Sequence, residues 1–176
     1  DLEKLLDALH NKVNIPDDLV ILEGMVADSL AHTSPWENIH DKLIIDATTP
    51  SEGDPISRPE ESSVGESLAI SASAIEGVVQ ARMLRPSMMV VTTEVEGSPS
   101  PEESVEVTNN HLARLQREKI SAIRDSIWGL NSSRGLKWLF ITDSDANLEH
   151  EDWKRRLLWQ LFCRFDVGRD LHFDET

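Results

Sequence analysis

The stretch Lys137–Asn147, KWLFITDSDAN, constrains the fold of this chain more than any other. Trp138, Leu139, Phe140, Ile141 and Thr142 form a short continuous run of apolar or β-branched residues that passes directly into Asp143-Ser144-Asp145. An alternating run would mark a strand with one wet face. A continuous run marks a strand covered on both faces, the pattern of a parallel strand in an α/β sheet. Acidic and small residues at its C-terminal end place a turn at the sheet edge where α/β folds bind their ligands. The run is therefore expected to be the central strand of an α/β fold, a mixed β-sheet flanked by helices in layers.

The rest of the chain supplies the other elements. Leu2, Leu5, Leu6, Leu9 and Val13 share one helical face, with Asp1 where an N-cap belongs and Pro16 as the stop. Asp18–Glu23 reads as a strand closed by Gly24, and Lys42–Thr48 as another that ends in an acid. Thr49–Ser63 is crowded with Pro, Gly, Ser and Glu and reads as a linker. A short helix is expected over Glu66–Ile75, then strands over Val78–Met83 and Ser87–Val95, and a loop over Gly97–Pro101. The apolar stripe of Leu112, Leu115, Ile120, Ile123 and Ile127 predicts a long helix from Glu102 to Trp128, ended by Gly129. A helix over Glu149–Arg164 and a last strand over Asp170–Asp174 complete the pattern.

Charge narrows the partners. The 32 acidic residues against 17 basic give a formal net charge of -15, which opposes non-specific binding to nucleic acid or an anionic membrane. The basic run Lys154-Arg155-Arg156 reads as a solvated helix surface. No apolar run reaches membrane-spanning length. Cys163 is the only cysteine, so no disulfide forms within the chain and no cysteine zinc site is available. This fits a reducing, cytoplasmic setting. The chain opens inside a helix pattern and ends after a strand pattern, as a piece of a longer protein would.

Four residue sets carry candidate chemistry. Asp143 and Asp145 are one residue apart and could hold Mg²⁺ or Mn²⁺ in a nucleotide-sugar or phosphoryl transferase, although no Gly-rich phosphate loop accompanies them. The plainer reading has them capping the next helix or bonding the turn. The six histidines show no ligand spacing, and Glu149-His150-Glu151-Asp152 suits the positive end of a helix dipole. Trp153 and Trp159 read as packing residues, with a subunit interface as their functional role. Cys163, beside Phe162, reads as buried rather than reactive.

Residues 1–23 and 152–174 share a plan. Each has Asp, an apolar helix with Leu-Leu, a basic residue (Lys12, Arg164), a short turn and an acid-Leu strand, with a one-residue slip near Leu5 and Leu157. A duplicated module is one explanation. These residues also carry a family resemblance. Residues 137–170 resemble the C-terminal domain of the UbiD-type, prenylated-flavin-dependent decarboxylases. There an apolar strand ends in a run of Asp, and a Leu- and Trp-rich helix, a basic residue and Arg-Asp follow. Residues 19–50 are similar to that family's ending, with Lys42-Leu43-Ile44-Ile45-Asp46-Ala47-Thr48 standing where the family has Lys-Leu-Gly-Ile-Asp-Ala-Thr, Ile44 in place of Gly. MMVVTTEV and the helix end SIWGL are similar to the elements before the Asp run.

The order departs from the family, since the Ile-Asp-Ala-Thr segment lies upstream here. The half-repeat accounts for this if 1–50 ends a first module, 51–65 links, and 66–176 is most of a second. The resemblance implies a parent that decarboxylates an unsaturated or aromatic acid, as on a quinone pathway. Its central domain would hold the prenylated FMN, a divalent metal and a carboxylate–arginine–carboxylate group. No stretch here matches that group, and Glu60-Glu61 and Glu102-Glu103 lack its arginine context. The resemblance thus assigns this piece a non-catalytic role in closing the parent's catalytic domain and joining subunits in a homo-oligomer. The alternatives are the metal-dependent transferase fragment and a stand-alone protein-binding module.

Overall fold

The computed structural model describes residues 2–26, 39–48, 62–94, 105–165 and 167–173. The expected cap at Asp1, residues 49–61 of the expected linker, the loop 97–101, the glutamates at 60, 61, 102 and 103 and the side chain of Cys163 lie outside them. The chain forms two units, one from Asp1–Pro55 with Asp152–Thr176 and one from Ile56–Glu151. The duplicated helix patterns of the half-repeat thus fall in the same unit.

In the first unit the leucine stripe builds α1 (Leu2–Asn11), which buries Leu6 and leads to buried Val13. The turn beyond it is closed by acids. The Asn14 backbone N–H donates to Asp18 Oδ2 at 2.7 Å and its side-chain amide to Asp17 Oδ2 at 3.0 Å. The chain then enters β1 (Leu19–Val26), which pairs antiparallel with β2 (Ile39–Ile45).

Gly24 does not close β1 as the sequence predicts. The strand continues through a bulge in which Glu23 and Gly24 oppose Asp41 alone. Gly24 takes φ +64°, and its N–H, lost to the ladder, donates to Asp41 Oδ1 at 2.9 Å. β2 also stops earlier than expected. Beyond Ile45 the Asp46 carboxylate accepts from the Thr48 hydroxyl (2.7 Å) and backbone N–H (2.9 Å), an Asx turn that ends pairing. The hydroxyl first and the backbone N–H second hold the Asp46 carboxyl below the ordinary aspartate range.

The same unit holds α4 (Trp153–Arg164) and the single turn α5 (Val167–Asp170). α4 starts later than the acidic tetrad suggests. The Glu149 and His150 amides donate to the side chain and carbonyl of Asn147, so these residues form turns before the helix. Asp152 sits at the N-cap without a side-chain cap bond. Over the described residues 170–173 the expected strand is not formed. Leu171 N–H donates to Val167 O at 3.3 Å, so a local helical turn satisfies the backbone where a ladder would. The second half-repeat therefore keeps its helix and loses its strand.

The second unit is a three-stranded mixed sheet in the order β3-β4-β5, formed by β3 (Val78–Arg85), β4 (Met88–Thr93) and β5 (Trp138–Asp143). β3 and β4 pair antiparallel across the short Pro86-Ser87 turn. β4 and β5 are parallel, and α3 (Val105–Trp128) makes the long crossover that parallel strands need. Together with the helices this is the α/β mixed-sheet architecture expected from the sequence. The central strand is β4, however, and the opening run KWLFIT is β5 at the sheet's end. The burial shows why: every β4 residue is buried, whereas in β5 only Trp138 is.

One face of the sheet carries Met89 and Val91, covered by Leu68 and Ala72 of α2 (Ser62–Ser73) and Ile123 and Ile127 of α3. Met88, Val90 and Thr92 alternate to the other face, where the Trp138 and Phe140 rings stack with centroids 6.3 Å apart. The Thr92 hydroxyl is fully buried and has no hydrogen-bond partner among the described residues. Thr92→Val keeps the shape and removes the orphaned group. It is expected to raise stability by roughly 1 kcal/mol in urea denaturation.

Candidate functional site

The candidate site is the turn at the C-terminal end of β5, where a parallel strand delivers Asp143 and Asp145. Asp143 stays extended (φ -75°, ψ 165°) and caps the 3-10 turn Ser144–Ala146, its carboxylate accepting from the Asp145 N–H. That Asp143 Oδ1···N distance is 3.1 Å. Asn147 then takes a left-handed conformation (φ 41°) and donates its N–H to Ser144 O at 3.0 Å. This reverses the chain so that Ala146 and Leu148 are buried. β3 fixes the far side. The Leu148 N–H donates to Gln80 Oε1 at 2.9 Å, and its carbonyl accepts from the Arg82 guanidinium.

The turn is thus built to seat Leu148. Asp143 is half-buried and Asp145 exposed. Among the described residues, no group of three or more His, Cys, Asp and Glu is placed to hold a metal ion. Asp143→Ala is expected to cost roughly 1 kcal/mol through the lost cap. Mg²⁺ or Mn²⁺ is expected to leave the melting temperature unchanged. A rise with either cation that Asp145→Ala removes would instead support a cation site.

Trp153 and Trp159 lie on α4 in the first unit. Trp153 is half-buried, with the Lys154 ammonium 5.9 Å from its ring centroid. Lys154 also bridges to Glu3 Oε1 at 2.8 Å, which ties α4 to α1. Both partners are substantially exposed, so this pair adds little stability. Trp159 is 71% exposed. Arg155 and Arg156, also exposed, lie one turn earlier on the same helix face. An indole this exposed stands out, because a large aromatic ring is mostly buried in folded proteins.

The sequence reading did not mark the β1–β2 ribbon as a surface. Val20 and Ile44, direct cross-strand partners, are each 49% exposed, and Ile21 is 38% exposed. The signal was present in the apolar runs LVIL and LII, which put apolar side chains on both faces of a ribbon with only two strands.

Fold and surface together define an α/β protein of two units with exposed apolar side chains on α4 and on the β1–β2 ribbon. Comparisons with protein-family models, curated proteins and solved structures found no match. Among the described residues no helix is long and apolar enough to cross a membrane.

Proposed function

We propose that this chain is the C-terminal, non-catalytic part of a UbiD-like decarboxylase, closing the catalytic domain and assembling subunits. The sequence likeness over residues 19–50 and 137–170 supports the family. Trp159, 71% exposed on α4, is the observation that supports an assembly role. On this reading the partners are the catalytic domain of the same parent chain and further copies of it, in the cytoplasm. The substrate is an unsaturated or aromatic carboxylic acid that loses carbon dioxide. Prenylated FMN and the divalent metal belong to the catalytic domain. On this reading no step of the reaction is assigned to this chain.

Two measurements test the reading. The gene upstream of Asp1 should encode a flavin-binding domain with an arginine and paired glutamates, and any other domain there overturns the family. In the whole protein, Trp159→Ala should weaken association at least about tenfold, as loss of a buried interface tryptophan does. Unchanged association would remove α4 from the assembly role.

A further inference from the structure

We infer that β1 is a homotypic edge: it pairs antiparallel with β1 of a second copy about a two-fold axis at Ile21, giving a four-stranded β2-β1-β1-β2 sheet. This deepens the assembly role above by naming a partner, and it rests on that reading only in taking the chain to assemble.

The phase of the hairpin fixes which groups face outward. Asp46 N–H donates to Asp18 O at 2.9 Å, so residues 18 and 46 form a hydrogen-bonded pair. In an antiparallel ladder such pairs alternate. Val20 with Ile44 and Leu22 with Lys42 therefore bond across the ribbon, while Ile21 and Leu43 direct their N–H and C=O groups outward. A ribbon of two strands is marginal in water, and a third strand on an open edge is what stabilises it.

The two edges are not alike. β2 carries His40, Asp41 and Lys42, and α5 packs beside it. Charged side chains, lysine above all, are what proteins place on an edge to prevent pairing. β1 has none from Leu19 to Leu22, and no proline. Its outward edge is the unguarded one.

Charge and hydrogen bonding then select a second copy and a register. With Ile21 opposite Ile21 of the partner subunit, Val20 faces the partner's Leu22, and Glu23 faces the partner's Leu19. The one charged residue of β1 is thus not set against its own copy, where like charges would oppose pairing. Leu19 N–H is already taken by Pro16 O at 2.9 Å. A register centred on Val20 would need that donor, whereas the register on Ile21 lets Ile21 exchange both of its bonds. The bulge at Glu23 and Gly24 ends the ladder on the other side. The half-exposed pair Val20–Ile44 then continues across the new seam into the partner's Leu22.

Thiol cross-linking in the 176-residue chain tests the register. In a Cys163→Ser background, Ile21→Cys should give a covalent dimer on mild oxidation, because the two-fold axis sets the introduced thiols opposite each other. Ile44→Cys should not, because two strands then lie between the thiols. Independently, Ile21→Lys sets two ammonium groups face to face and should raise the dimer dissociation constant at least tenfold in sedimentation velocity, with the far-UV circular dichroism unchanged. A monomeric wild type at high concentration overturns the proposal. So does cross-linking at position 44 as fast as at position 21. A dimer that survives Ile21→Lys without cross-linking also overturns this edge but leaves assembly through α4 standing, and neither result bears on the domain encoded upstream of Asp1.

Discussion

Ile127→Ala is expected to destabilise the second unit by roughly 2–5 kcal/mol, the range for truncating a buried isoleucine to alanine. Ile127 is fully buried and lies one helical turn beyond Ile123, itself 1% exposed, on the stripe of α3 that faces the sheet. Its side chain sits among Leu68, Ala72, Met89 and Val91, so a cavity there borders α2 and β4 together. The packing of both helices on the strand limits collapse into that cavity, which favours the upper part of the range. Urea denaturation followed by tryptophan fluorescence measures it. Leu115→Ala on the same helix is the control: Leu115 is 38% exposed, and its truncation should cost under about 1 kcal/mol. Equal losses at the two positions would mean that α3 does not seat on the sheet through Ile127.

Gly77→Val should be the other large loss, and for two separable reasons. Gly77 turns the chain from α2 into β3 at φ +87°, a conformation that costs a non-glycine residue about 1–2 kcal/mol and suits a β-branched one least. A Cβ there would also meet the Lys119 side chain at 3.1 Å and Ile123 Cδ1 at 3.4 Å. Overpacking of that kind adds about 1–3 kcal/mol. Gly24 separates the two effects. It also has positive φ, but a Cβ there meets nothing within 4 Å. Gly24→Val should therefore show the backbone cost alone. If the two substitutions cost the same, the close approach of α3 to the α2–β3 turn contributes nothing.

Periodicity made most elements legible. The leucine stripe of α1, the isoleucine stripe of α3 and the runs of β3, β4 and β5 are all present close to their expected bounds. Pairing was not legible, because it depends on neighbours rather than on the segment. KWLFIT reads as a central strand, yet β4, with the similar run MMVVTT, takes the middle. Asp170–Asp174 has a strand's composition, but the Val167 carbonyl offers Leu171 N–H a local partner first. Glycine misled at position 24, where positive φ serves a bulge instead of a stop. At the candidate site, an aspartate at a strand end followed by small residues announced the cap that Asp143 makes. The seating of Leu148 by Gln80 and Arg82 was hidden, since those partners come from 66 to 68 residues away.

The division of the chain also sets a timetable for its synthesis. The first unit takes residues from both sides of the second, so α1, β1 and β2 emerge before the 96 residues of Ile56–Glu151 and before α4 exists. At roughly 5–20 residues per second, translation leaves them without that helix for about 5–20 s. The ribbon with its apolar residues Val20 and Ile44 is therefore made well before the helix that completes its unit.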